Sequence, residues 1–233
     1  MASHITANHL LAMLPDAERG EILANCVEVS LVFGETLVEP GEELRHVYFP
    51  LEGFISLITL MNGKPILETG LIGAEGMLGA TLALGVGSSP SRAMVQGAGT
   101  AWRMDADVFQ KVVCTCSEFR RLVLRYLYVM IEQLVRTPAC TQRHIIAFRL
   151  ARWLLMTRDR AQSNDFPVTQ KFLSYMLGVR REGVTEAAGD LQRRGVIHYN
   201  RGHMEIIDLQ TLEGIACSCY ASDKQTHEQI MGV

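Results

Sequence analysis

The chain is expected to be an α+β protein, with an antiparallel β domain first, one long helix next, and a compact helical domain closed by a short hairpin last. Three observations carry that expectation. Between residues 27 and 112, β-branched and aromatic residues alternate with polar ones, and Gly or Pro turn signals recur about every ten residues. From 117 to 137 the apolar residues recur every third or fourth position, the period of a helix. Beyond 141, two short amphipathic segments flank Gly178, and a hairpin pattern follows at 196–208.

The β domain is assigned to 1–116. Its text reads "VEVSLVF", "ETLVEPGEELRHVYFPLEGFISLITLM", "KPILETGLIG" and "SRAMVQGAGTAWRMD", with turns at Pro40-Gly41, Glu52-Gly53 and Asn62-Gly63. Short strands with frequent turns favour an antiparallel roll over a parallel sheet, which needs long crossover connections.

The long helix and a hinge are assigned to 117–140. Val123, Leu127, Met130 and Leu134 step by 4, 3 and 4, and Leu124, Tyr128, Ile131 and Val135 repeat the pattern one position over. One stripe packs on the β domain and the other meets a second copy of the helix, since about two heptads suffice to pair helices. Val123, Leu127, Met130 and Leu134 are assigned to that dimer seam; a helix packed wholly within one chain is the alternative. Pro138 has no backbone N–H and crowds the preceding turn, so the helix is expected to kink or stop there, leaving 138–143 as a hinge.

The last domain is assigned to 141–233. "RHIIAFRLARWLLMTRDR" places Ile146, Leu150, Trp153 and Leu154 inward, with Arg149, Arg152 and Arg158 mostly outward. In "TQKFLSYMLGVRREGVTEAAGDLQRRGVI", Thr169 is the expected N-cap and Gly178 the expected left-handed stop. A second helix starts near Arg180 with Val184, Ala187, Ala188 and Leu191 inward. Two short helices across a glycine turn form a helix-turn-helix, whose second helix enters the major groove of DNA. "VIHYNRGHMEIID" adds a hairpin around Asn200-Arg201-Gly202, the wing.

Charge separates the halves. Residues 1–116 hold 6 Lys+Arg against 13 Asp+Glu, whereas 141–207 hold 11 against 6, inside a chain of net charge −3. A locally basic domain suits a polyphosphate, and double-stranded DNA is the expected partner. Arg181, Glu182 and Thr185 are placed against base edges, because Arg pairs with guanine and a carboxylate accepts from cytosine, and Arg180 at the start of the same helix is assigned to DNA binding. Thr169, Gln170, Lys171, Tyr175 and Arg201 are placed against phosphates, where they position the protein without reading sequence.

Other classes are disfavoured. No stretch reaches the roughly 18 apolar residues of a membrane span, and no secretion signal opens the chain, so a cytoplasmic protein with reduced thiols is expected. The pairs Cys114/Cys116 and Cys217/Cys219 lack C-x2-C spacing and a nearby His pair, so no metal is assigned. No nucleophile-base pair or carboxylate pair shares a motif, and no enzyme activity is expected.

The order of β roll, long helix and winged helix-turn-helix resembles the CRP/FNR superfamily of bacterial transcription regulators over nearly the whole chain. "VEPGEELRHVYFPLEGFISL" is similar to the early roll strands of that family, and "LGVRREGVTEAAGDLQRRGVI" to its recognition helix and wing. The family's base-reading pattern R-E-x-V falls on Arg181, Glu182 and Val184. The resemblance implies a cyclic-nucleotide-binding-like roll, a homodimer along the long helix, a palindromic operator, RNA polymerase as a partner and a small-molecule effector. The effector cassette corresponds to "GMLGATLALGVGSSPSRAMV", giving Glu75, Gly76, Met77, Leu78, Gly79, Arg92 and Ala93 as effector-binding candidates. Arg92 matches the phosphate-neutralising arginine. Met77 stands where the ribose-binding Glu belongs and Ala93 replaces a hydroxyl residue, which argues against cyclic AMP or GMP. Cys26 is the only cysteine near the N-terminus, against an iron-sulfur cluster of the family's oxygen sensors. His46 is the only histidine between positions 10 and 143, against haem. The effector is left unassigned, and a ligand-free roll that serves only as a structural module is the alternative.

Overall fold

A computed structural model describes residues 8–232. The described residues form two compact units, 8–57 with Leu71–Met130, and Ile58–Gly70 with 131–232. An α+β architecture with an antiparallel β roll, a long helix and a C-terminal winged helix-turn-helix is what the chain adopts.

In the first unit, α1 (His9–Ala12) and α2 (Asp16–Leu23) precede the roll. Asn8 caps α1 by accepting from Leu11 N, and its Nδ2 donates to the Pro50 and Gly76 carbonyls at 3.0 and 2.8 Å. The strands are β1 (Val27–Leu31), β2 (Thr36–Val38), β3 (His46–Pro50), β4 (Phe54–Met61), β5 (Lys64–Ile72), β6 (Arg92–Gly97) and β7 (Gly99–Asp105), of which the stretch Ile58–Gly70 of β4 and β5 is counted with the second unit. One sheet orders them β1-β7-β3 and the other β2-β6-β4-β5. β7 is antiparallel to both neighbours, with Val29 opposite Ala101 and Phe49 opposite Trp102. Asn62 and Gly63 take left-handed φ of 52° and 73°, the geometry a two-residue hairpin requires.

The last roll strand ends at Asp105, so the strand-rich reading to 112 is corrected: α3 (Ala106–Thr115) occupies 106–115. Its buried Phe109 and Val113 lie four residues apart on one helical face. Phe109 meets Phe119 edge-on at 5.7 Å between ring centroids, and Phe49 lies 6.3 Å from Phe119, so this aromatic cluster ties α3, β3 and the next helix together.

That helix, α4 (Ser117–Arg143), corrects the expected hinge, because Pro138 lies inside it and no break falls at 138–143. Hydroxyls bridge the turns around the proline: Thr137 Oγ1 donates to the Gln133 carbonyl and Thr141 Oγ1 to the Thr137 carbonyl, both at 2.9 Å. Neither hydroxyl reaches the Leu134 carbonyl, the one that the proline leaves without its i+4 N–H donor; the helix runs on past that single missing bond.

The assignment of the dimer seam is corrected as well. Val123 and Leu127 are buried within the chain, alongside Phe119, Leu122, Tyr126 and Val129, and Met130 is half-buried. The stripe one position over is the exposed one: Leu124, Tyr128, Ile131 and Val135, with Leu134 beside them. Both stripes have the same period, and only the roll decides which one it covers.

In the second unit α5 (Ile146–Ala161) packs against β8 (Asp165–Pro167), α6 (Gln170–Leu177), α7 (Arg181–Arg193), and, beyond the hairpin of β9 (Ile197–Asn200) and β10 (His203–Ile206), α8 (Leu209–Ile215) and α9 (Cys219–Met231). Leu150 and Leu154 are fully buried. Trp153 lies 6.4 Å from Phe166 and 6.3 Å from Phe172, and its Nε1–H donates to Glu68 Oε1 at 2.8 Å. The outward placement expected for Arg149 and Arg152 is corrected, since both are buried. Each is paired, Arg149 Nη2 with the Leu177 carbonyl and Arg152 with the Asp223 carboxylate, and pairing is what makes a buried guanidinium tolerable.

Candidate nucleic-acid interface

The geometry of residues 169–202 follows from local chemistry. Thr169 Oγ1 accepts from Phe172 N at 3.1 Å and fixes the start of α6. Gly178 ends that helix at φ 60°, a conformation that costs glycine little, and its N–H reaches the Tyr175 carbonyl. The chain turns through Val179 and restarts at α7, with Arg180 at the N-cap position. Val184, Ala187, Ala188 and Leu191 are buried, so the spacing forces Arg181, Glu182, Thr185 and Glu186 outward, and all four are exposed.

Most of the sequence-predicted residues gather on this surface. Arg180, Arg181, Glu182 and Thr185 occupy the exposed first turns of α7, and Thr169, Gln170, Lys171 and Tyr175 lie on α6 or at its cap. Thr185 Oγ1 stands 3.1 Å from Gln170 Oε1, so the two helices are joined at this surface by side chains that were assigned different roles. Glu182 in the first turn of α7 also complements the helix dipole. Arg201 sits at the tip of the β9–β10 hairpin with φ 48°, next to Gly202 at 82°. β10 pairs with both β9 and β8, which fixes that tip as the end of a three-stranded wing. Tyr199 N–H donates to Gln192 Oε1 at 2.8 Å, anchoring the wing to α7.

The effector candidates behave differently. Met77 and Ala93 are buried with no exposure, so neither side chain is offered to a ligand. A Cβ on Gly76 would overlap the Tyr126 ring, which fills that side of the loop. Arg92 is already neutralised: its Nε donates to Glu39 Oε2 at 3.0 Å and its Nη2 lies 2.8 Å from Oε1, a bidentate pair. Glu75 folds back to accept from Gly73 N at 3.2 Å. Gly79 takes φ 91° and Leu78 pairs through its backbone with Tyr48. Of these candidates Leu78 alone lines a cavity of about 280 Å³, shared with Leu37, Leu44, Arg45, His46 and Tyr48. Gly76→Ala is expected to destabilise the first unit by about 1–3 kcal/mol through overpacking against Tyr126, read as a lower urea midpoint.

The sequence reading also passed over a cluster. Cys140 and His144, at the end of α4, stand beside Cys217 and Cys219, which bracket the start of α9, and their ligand atoms all lie within 4.8 Å of one another. Cys140 and Cys217 sulfurs are 3.6 Å apart and share a proton. That hydrogen bond lowers the Cys140 thiol below its ordinary range and raises that of Cys217. A C-x2-C search does not register this arrangement. The signal that does is Cys140 in the last turn of α4 with His144 four residues on, just past the helix end. Cys114 is exposed and Cys116 Sγ donates to Glu18 Oε2 at 2.9 Å, so the other C-x-C pair is not part of this group.

Comparison with known proteins bears on both halves. The Crp-like helix-turn-helix domain model matches residues 148–215, and the cyclic nucleotide-binding domain model matches 28–115. No curated protein matches the chain in sequence. Among solved structures, FixK2 from Bradyrhizobium japonicum aligns with a TM-score of 0.69 at 15% identity, over 82% of this chain and 98% of its own. The c-di-GMP responsive global regulator CLP of Xanthomonas campestris aligns at 0.68 and 14%, over 82% and 99%. A CRP family transcriptional regulator from Thermus thermophilus, TTHB099, aligns at 0.66 and 21%, over 81% and 96%. At such identities the likeness to the structures speaks for the fold. Among the described residues, no helix is long and apolar enough to cross a membrane.

Proposed function

Because the chain belongs to the CRP/FNR superfamily of DNA-binding transcription regulators, we propose that it acts as a homodimer and reads a palindromic operator with α7. In this reading 1–116 is the sensor, 117–140 the dimerisation segment and 141–233 the DNA-binding domain. The observation that carries it is the exposed start of α7, where Arg180, Arg181, Glu182 and Thr185 stand free of the core that holds the helix. Arg181 and Glu182 read bases; Lys171, Tyr175 and Arg201 hold phosphates. Two copies would present these helices about 34 Å apart to successive major grooves. RNA polymerase is the partner that would convert operator binding into a change in transcription.

Selection from randomised oligonucleotides at moderate salt is expected to recover an inverted repeat, and recovery of none overturns the proposal. Arg181→Ala should cost about 1–3 kcal/mol on the operator and relax the preference at one base pair per half-site, leaving random-sequence affinity nearly intact. Lys171→Ala should weaken operator and random DNA alike and reduce the salt slope by about one. Equal losses on both DNAs for both variants would remove the assignment of roles.

A signal in the roll is proposed to bias the dimer between two arrangements. The Arg92–Glu39 pair favours a second reading, a constitutive regulator whose roll is a ligand-free structural module, because an incoming phosphate must displace a carboxylate already seated on the arginine. A thermal-shift screen against nucleotides and small metabolites, cyclic AMP and cyclic GMP included, decides between them. No shift in the wild type supports the second reading, and a shift that disappears in Arg92→Ala restores the first.

A further inference from the structure

Three of the most buried thiols in the second unit converge with an imidazole at one point, where nothing in the operator-reading function uses them. Cys140, Cys217 and Cys219 are 2%, 5% and 8% exposed, so these sulfurs are withdrawn from solvent. His144 turns its Nδ1 to within 3.7 Å of Cys219 Sγ. Cysteines buried singly act as small hydrophobes, but an imidazole nitrogen aimed into three sulfurs is a donor set.

The spacing identifies the kind of guest. Zinc takes Cys sulfur at about 2.3 Å and His nitrogen at about 2.0–2.1 Å, so a tetrahedral Cys3His site sets sulfur–sulfur edges of about 3.8 Å and sulfur–nitrogen edges of about 3.6 Å. The Cys140–Cys217 contact of 3.6 Å and the His144–Cys219 contact of 3.7 Å match one edge of each kind to a fraction of an ångström, and the four ligand atoms all lie within 4.8 Å of one another. A multinuclear iron-sulfur cluster interposes several atoms between its thiolates and needs a wider cage. A disulfide needs sulfurs about 2.05 Å apart, and all these cysteines are free.

We propose that Cys140, His144, Cys217 and Cys219 form a tetrahedral zinc site that clasps the end of α4 to the α8–α9 junction. Cys140 comes from the last turn of α4 and His144 from the residue just past its end, and Cys217 and Cys219 from a segment joined to the core through α5. Zinc therefore completes the unit that bears α6 and α7, and its occupancy sets that unit's stability by mass action.

The full-length protein, purified under reducing conditions with zinc present, is expected to hold about one zinc per chain by inductively coupled plasma mass spectrometry. Titration of the apoprotein with cobalt alone should give intense tetrahedral d–d bands and a thiolate charge-transfer band. His144→Ala, at a half-buried position, should keep the fold and bind cobalt at least about tenfold more weakly, and Cys140→Ser should lose the charge-transfer intensity. Since Cys140→Ser can impair folding, wild-type protein is tested too. Chelation should lower its melting temperature by roughly 5–10 °C relative to protein at a zinc concentration about 100 times the dissociation constant, and zinc should restore it. Protein without zinc that shows only weak octahedral cobalt bands would overturn the proposal. So would iron with sulfide absorption, or an intact mass showing a Cys140–Cys217 disulfide in reducing buffer.

Discussion

The double substitution Leu124→Asp with Ile131→Asp is expected to yield a folded monomer that binds its operator about 10²- to 10⁴-fold more weakly than the wild type. Both side chains are exposed in the single chain, at 40% and 53%, so charges there meet water and leave the packing of α4 on the roll intact. In the proposed dimer the same positions would sit in the seam, where each paired carboxylate would be desolvated beside its symmetry mate. The loss of affinity arises because a monomer engages one half-site, and the effective concentration supplied by the second recognition helix disappears. Leu127→Asp is the contrasting variant: at 7% exposure it puts a charge into the core of the first unit and should give insoluble or unfolded protein. Sedimentation velocity separates the cases, and a double variant that remains dimeric with full operator affinity places the interface elsewhere.

The confusion between those two stripes shows where sequence stops being informative. Periodicity located α4 and both of its apolar seams, because the helical repeat is written in consecutive residues. It did not say which seam faces the roll, since that depends on Phe49, Phe109 and Phe119 meeting from three separate elements. The helix-turn-helix was legible almost to the residue: Thr169 and Gly178 are local signals, and the buried spacing of Val184, Ala187, Ala188 and Leu191 dictates which side chains face outward. Pro138 misled because a single residue's propensity yields to the context of a long helix that continues on both sides of it. The buried arginines misled for a related reason. Their partner, Asp223, lies 71 residues from Arg152, and no local pattern announces a charge pair across that interval. Cys140 and Cys217 are likewise 77 residues apart, so the thiol cluster exists only once α9 has folded back on α4.

Removing that distant carboxylate should be the most damaging single change in the second unit. Asp223 is 5% exposed and serves two cations at once: Oδ2 accepts from Arg152 Nη2 at 2.7 Å and Nε at 3.2 Å, and Oδ1 accepts from Arg136 Nη1. Glu132 also touches Arg136, at 3.4 Å. Asp223→Ala therefore strands a nearly buried guanidinium, and breaking a buried pair from one side costs about 3–5 kcal/mol. Asp223→Asn retains an oxygen acceptor but loses the charge, and should fall between alanine and wild type. The penalty belongs to the orphaned cations and not to the carboxylate itself, so replacing all three groups with apolar residues of similar volume should recover much of the loss. Urea unfolding monitored by hydrogen exchange tests this directly: α5 and α9 amides should lose protection together in Asp223→Ala while β1, β3 and β7 amides keep theirs. If Asp223→Ala unfolds within about 1 kcal/mol of wild type, the two arginines are solvated in ways that their burial denies, and the ion pair is not what joins α4, α5 and α9.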